Sequence, residues 1–477
     1  MHQRPWTLIH FTSDARPRRP RDRDRMSRDD LVDDSGAPNA FENDGYDEPG
    51  PESDEALTHA LPAAGTMASD VDAVALVARS HASTSVKGDA PYNVHVATNH
   101  DGGVVAVVTT SGRARVYERR GTDGGLETAT ARDVEVGCVV NECEFGPRED
   151  PYSLVCACGD GTVRVYDARC GDSRAVASFR APAGERDVCS ATLGGGATGS
   201  MIAAAVGPHV VFFDRRRQGA DASHADMFRD AHSEAVTRAR FHPERRRELY
   251  TSSVDGLMCA FDCSRAPLND EDALIAIMSA DAAVNTIGFC RSGASGDERD
   301  AVWCATGVEE AHVFVASSDR RRVGVHLAHL KNAREVARAA TTNSPRASST
   351  APEFLAGVDY IVGVHDGVAP GELFLSAGTQ AGVVGVFPLV QGPSHARGTA
   401  DFITLAPPVA VLRHGHRDIV RCVAWDANAR ASEPSRVPLT CGEDSLVCAW
   451  TPGMNDDAAP PPPVDRTRPP GRRHSPY

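Results

Sequence analysis

The chain runs to 477 residues with 65 acidic side chains against 50 basic ones, a formal net charge of -15. That length holds several domains or one large repeat array, and an overall acidic balance argues against a general nucleic-acid surface. No apolar run approaches the roughly twenty residues of a bilayer span, and neither a signal-peptide core nor an Asn-x-Ser/Thr acceptor occurs, so neither membrane nor nucleic acid is expected as a partner.

Residues 1–68 read as a disordered leader. Arg16 to Arg25 make its first part basic, and thirteen acids between residues 27 and 72, against the single base Arg28, make the rest acidic. Met26-Ser27-Arg28-Asp29 makes an ordinary beginning, so the basic run is read as upstream sequence without function, the alternative being a nuclear-import or transit element. From Val71 the texture changes to short strands: Val71 to Val77, Tyr92 to Val96, Val104 to Thr110 and Arg113 to Tyr117 alternate apolar residues with period two.

One stretch then organises the body. Cys156 to Arg169 is a hairpin around Asp160-Gly161, expected to turn in two residues, and it recurs as Tyr250 to Asp262 and Leu439 to Trp450. Groups of this kind end at Tyr117, Tyr166, Phe213, Phe261, Val315, Phe387 and Trp450, which predicts seven blades over residues 69–453. Nothing after Trp450 offers a last strand, whereas Val71 to Val77 has no blade of its own. The early strand is therefore expected to complete the seventh blade and close the ring.

Two insertions interrupt the pattern. Gly194 to Gly199 lacks a Gly-Lys-Ser/Thr ending and reads as a flexible hairpin loop, not a phosphate cradle. Residues 338–353 read as a solvated polar loop with a phosphorylation candidate at Ser344-Pro345, and residues 454–477 as a disordered Pro/Arg-rich tail.

The thirteen cysteines stand singly inside apolar runs, among them Cys259, Cys290, Cys304, Cys422 and Cys448, as buried thiols of a reducing, nuclear or cytoplasmic compartment would. Cys156 and Cys158 share a strand face, but no further ligand stands near them in sequence. No metal and no cofactor are expected.

The hairpins carry a recurring polar set. His416, Thr440, Asp444 and Trp450 mark the seventh repeat; His232, Thr251 and Asp255 mark the fourth at the same Thr-to-Asp spacing, with Phe261 for the Trp; Asp160 and Tyr166 mark the second, with Cys156 for the Thr. This pattern resembles the WD-repeat family, in which such residues form a hydrogen-bonded set, and it implies an all-β, seven-bladed propeller. A His with a hydroxyl and a carboxylate also looks like a catalytic triad, yet a hydroxyl in a buried strand lacks the exposed perch and oxyanion site a nucleophile needs. The set is therefore read as structural, and no catalytic residue is expected. Leu268 to Leu274, Gly357 to Gly363 with Gly371-Glu372-Leu373, and Gly442-Glu443-Asp444 with Trp450 to Gly453 are similar to the WD repeat-containing protein 89 family over about residues 71–453.

Three repeats end on an aromatic, an acid and, two positions beyond the acid, an arginine: Tyr117-Glu118-Arg119-Arg120, Tyr166-Asp167-Ala168-Arg169 and Phe213-Asp214-Arg215-Arg216. The ending is similar to the signature of WD-repeat substrate receptors that dock on the damaged-DNA-binding adaptor of cullin-RING ubiquitin ligases. That resemblance makes Arg120, Asp167, Arg169, Asp214 and Arg216 candidate partner-binding residues; the plainer alternative pairs each arginine with the acid of its own blade. The function expected is a non-catalytic scaffold for other proteins, a monomeric subunit of a complex. The alternatives are a cullin-RING substrate receptor, or a chromatin or ribosome-assembly propeller whose acidic leader meets basic proteins.

Overall fold

The computed structural model describes residues 74–83, 92–120, 125–170, 174–182, 187–195, 199–217, 226–265, 267–292, 299–367, 371–392, 401–424 and 438–452. The expected leader and tail, part of the Gly194 to Gly199 loop and the side chain of Arg120 lie outside them.

Among the described residues the strands form seven four-stranded antiparallel blades. Blade 1 is Asn93–Thr98, Val104–Thr109, Arg113–Arg120 and Gly125–Glu135. Blade 2 is Val140–Phe145, Ser153–Cys158, Thr162–Asp167 and Ala177–Arg180. Blade 3 is Ser190–Gly194, Met201–Val206, His209–Asp214 and Asp226–Phe228. Blade 4 is Val236–Phe241, Glu248–Ser253, Leu257–Asp262 and Leu274–Ser279, the last introduced by α1 (Asp270–Ala273). Blade 5 is Val284–Cys290, Ala301–Thr306, Ala311–Val315 and His326–Leu330. Blade 6 is Tyr360–Asp366, Leu373–Gly378, Val384–Gln391 and Ala410–Arg413.

Blade 7 takes Val420–Ala424, Leu439–Gly442 and Leu446–Pro452, and its outer strand is Val74–Ser83. That strand runs antiparallel to the third strand, with Leu76 opposite Pro452 and Ser83 opposite Leu446, and parallel to the outer strand of blade 6, with Val74 opposite Ala410. The ring closes as expected. A further strand, Asp401–Leu405, pairs with the end of the third strand of blade 6 and with the outer strand of blade 5. Blades 5 to 7 are thus stitched into one ladder, whereas blades 1 to 4 are separate sheets.

Second strands such as Val-Val-Ala-Val-Val-Thr and Ser-Leu-Val-Cys-Ala-Cys are buried on both faces, because each blade is covered by a neighbour on either side. The apolar core is accordingly divided among the interfaces between blades. Phe179 and Phe213 pack blade 2 on blade 3, Phe228 and Phe261 pack blade 3 on blade 4, and Leu412 and Trp450 pack blade 6 on blade 7.

Three expectations are corrected. The hairpin at Asp160 turns in three residues, Gly159 to Gly161, with only Gly161 at positive φ (79°): a bulged turn of this kind needs one left-handed position, at its last residue, where a two-residue type I′ turn over Asp160-Gly161 would also require Asp160 at positive φ. In blade 5 Val302 faces Phe314 as Leu154 faces Tyr166 in blade 2, so Phe314, and not Val315, is the anchor. Residues 338–353 are not a solvated loop. They belong to α2 (Ala333–Thr342), α3 (Pro345–Thr350) and a short 3-10 turn at Pro352–Phe354. Ala333, Ala337 and Thr341 recur every fourth residue on the buried face of α2, and Phe354 packs edge-on against Phe387 of blade 6 at 5.2 Å. Ser344 is the half-buried cap of α3, accepting from Ala347 N at 3.3 Å.

Candidate interaction surface

The polar sets lie inside the blades. In blade 7 His416 Nδ1 is 3.0 Å from Asp444 Oδ1, His416 Nε2 is 2.6 Å from Thr440 Oγ1, and Trp450 Nε1 donates to the same hydroxyl at 2.7 Å. Asp444 also accepts from the backbone N–H groups of Arg417 (3.0 Å) and Leu446 (3.1 Å), so it fixes the turn and the approach to the first strand together. Burial would raise its pKa, but the bonds and charge of His416 and the two N–H groups hold it below the usual carboxylate range. Blade 4 repeats the arrangement: His232 Nδ1 lies 3.2 Å from Asp255 Oδ2 and Nε2 lies 2.8 Å from Thr251 Oγ1, with Ser233 and Leu257 N–H groups donating to the carboxylate. Phe261 supplies no indole donor there. Burial lowers the pKa of His232 despite the Asp255 charge.

Blade 2 differs. Asp160 accepts from Thr162 N at 3.1 Å and Thr162 Oγ1 at 2.5 Å, and its cation is Arg164 of the third strand, which also donates to the carbonyl of Val136. Val136 stands four residues before the first strand, the position that His232 and His416 hold in their blades. With His416, His232, Thr251 and Thr440 all buried, these sets offer a substrate no hydroxyl to approach.

The sequence reading missed a second internal cluster. On the first strands of blades 2 and 4, Glu142 is met by Arg238 Nε at 3.0 Å and by both terminal nitrogens of Arg240, and His95 of blade 1 stands 3.8 Å away. Burial would raise the Glu142 carboxyl, yet Arg238 and Arg240 hold it down at about 2. Glu142-x-Glu144 and Arg238-x-Arg240 were the available signal, since residues two apart share one face of a strand.

The surface candidates sit at the ends of third strands. Asp167 Oδ1 accepts from Arg169 N (3.0 Å) and Nε (2.9 Å) while Oδ2 takes the terminal nitrogen at 2.6 Å. Asp214 grips Arg216 through the same three bonds at 3.0, 2.9 and 2.7 Å. Each arginine is thus paired within its own blade, yet the side chains of Arg169 and Arg216 remain 66% and 65% exposed. In blade 1 the acid Glu118 turns instead to Arg132 at 2.7 Å. Arg169 also lies over the Tyr152 ring at 5.2 Å and lines a groove of about 490 Å³ with Asp101, Glu118, Arg119 and Arg132. On the same loop face, between the first and second strands, His100, Arg148, Arg246 and Arg299 line a cavity of about 340 Å³.

Four-stranded blades closed by an N-terminal strand, braced by His-Thr-Asp sets in blades 4 and 7, define a seven-bladed β-propeller of the WD-repeat type, and the chain is similar in sequence to WD-repeat proteins. It is 27% identical over 354 residues to the WD repeat-containing protein GTS1 of Arabidopsis thaliana, covering 71% of this chain and 78% of that protein. It is 25% identical over 319 residues to the WD repeat-containing protein 89 homolog of Dictyostelium discoideum, covering 65% and 71%. No family model matches the chain. A chain in a crystal structure of the mitotic checkpoint complex superposes with a TM-score of 0.51 at 12% identity, over 86% of this chain and 97% of that one, a likeness of fold alone. Propellers of this class serve in general as scaffolds for protein interaction and are generally non-catalytic.

Proposed function

We propose that this protein is a non-catalytic scaffold of the nucleus or cytosol that docks partner proteins on the loop face of blades 1 to 3. The observation that carries the reading is the pair of matching Asp-x-Arg clasps on adjacent blades, Asp167-Arg169 and Asp214-Arg216, beside a groove lined by charged side chains. A guanidinium held flat by its own aspartate has already given up rotamer freedom, so a partner carboxylate or carbonyl engages it at a lower entropic cost. The repetition also favours a second reading, docking on the adaptor of a cullin-RING ligase.

The test is crosslinking with partner identification in cells, comparing the full chain with the Arg169→Ala/Arg216→Ala variant. Both arginines are surface residues, so thermal unfolding should be essentially unchanged while partners are lost. Recovery of the same partners by the variant would remove this face from the account. Failure of the wild-type chain to bind the adaptor would remove the second reading alone.

A further inference from the structure

The third and outer strands of blade 5 gather three histidines and a glutamate. Glu310 leads into the third strand, His312 follows two residues on, His329 stands opposite His312, and His326 stands opposite Phe314. His312 is 1% exposed and its ring stacks on that of His329 with centroids 3.9 Å apart. His329 Nε2 is 2.9 Å from Glu310 Oε2, and His312 Nε2 is 4.0 Å from the same oxygen, buried and with no hydrogen-bond partner. On its other side His312 Nδ1 is 3.2 Å from His326 Nε2. The propeller does not require this arrangement: the corresponding third-strand residue is Cys259 in blade 4 and Cys448 in blade 7, each facing the threonine of its set.

We propose that Glu310, His312 and His329 bind a divalent transition-metal ion, zinc by preference, with His326 orienting His312 from behind. Two imidazoles and a carboxylate are a zinc donor set that leaves a fourth position for water, and imidazole nitrogen disfavours calcium and magnesium. The three donor atoms lie within 4.8 Å of one another, and the separations of 2.9 and 4.0 Å bracket the edge of a tetrahedron with bonds of zinc length. A His312 that donates from Nδ1 to His326 keeps the Nε2 lone pair aimed at the site, the outer-sphere arrangement common to metal-binding histidines. Buried against a second imidazole, His312 is in surroundings that favour the neutral ring, the form that ligates. The two rings are stacked, so joint ligation requires the His329 ring to rotate out of the stack. That side chain and Glu310 are the more exposed members, at 13% and 26%.

The test uses the full chain stripped with a chelator and titrated with Zn²⁺ alone, followed by calorimetry and thermal unfolding, then with Co²⁺ for its absorption spectrum. The expected result is one ion per chain, a raised unfolding temperature and a cobalt spectrum free of thiolate charge-transfer bands. Glu310→Gln and His329→Gln, chosen because both side chains are partly exposed, should each weaken binding at least about tenfold, and His326→Phe by about 10- to 100-fold. An unchanged affinity in the Glu310→Gln/His329→Gln variant, cobalt bound through sulfur, or no stoichiometric binding by the wild-type chain would overturn the proposal.

Discussion

In blade 7 the turn aspartate is held by His416, which arrives from the segment ahead of the first strand; in blade 2 Asp160 is held by Arg164, which reaches back from the third strand. Both side chains tie the turn to the same neighbouring backbone, so the geometry of the hairpin does not depend on which one is used. Their surroundings differ. Asp444 and His416 are 7% and 0% exposed at the side chain, whereas Asp160 and Arg164 are 34% and 23% exposed. A buried set leaves stranded donors when one member is removed, while a half-exposed one lets water in.

Three measurements probe that contrast. The largest effect is expected from Asp444→Ala, which strands His416 and two backbone N–H groups and should cost about 3 kcal/mol in denaturant unfolding. Asp160→Ala should cost under about 1 kcal/mol, and equal losses would mean that burial does not separate the two clasps. Next, Trp450→Phe converts blade 7 to the blade 4 arrangement by deleting the indole donor to Thr440. A loss of about 1–2 kcal/mol is expected, and a neutral result would deny the indole N–H a part in the set.

The smallest effect is in the response to acid. His232 has a folded pKa below its unfolded value, so between the two the unfolded chain binds more protons and stability falls as pH drops below about 6.5. Arg164 stays charged throughout, and Asp160, its pKa lowered, gives up its contribution only below the ordinary aspartate range. His232→Gln should therefore lessen the loss of stability as pH falls below about 6.5, with His95, His242, His312 and His365, also held low by burial, supplying the remainder, and Arg164→Ala should leave that slope as it was. Denaturant midpoints below about pH 6.5 would decide, and an unchanged slope in His232→Gln would show that His232 is not among the titrating groups.

The blades were legible because period-two apolar runs, aspartate-bearing turns and third-strand aromatics are local signals. The closing strand was legible by elimination, from one strand too many at the start and one too few at the end. What escaped depends on tertiary context. α2 buries alanines, which read as neutral in a polar stretch, and Phe314 is fixed as an anchor only by its register with Val302. The role of Arg164 could not be read from spacing, since it fills the place of a histidine from a different strand. Glu142 and Arg240 meet across 98 residues of sequence. His416, Thr440, Asp444 and Trp450 were readable as a group because blades 4 and 7 repeat their intervals.

The seam between Val74–Ser83 and Leu446–Pro452 also bears on how the molecule is made. A chain emerging from the ribosome presents the first of these segments several blades before the second, so the ring stays unlatched until both are available. Throughout synthesis the nascent protein carries unsatisfied β-edges at both ends of the growing arc, and assistance from chaperones would matter most in that interval.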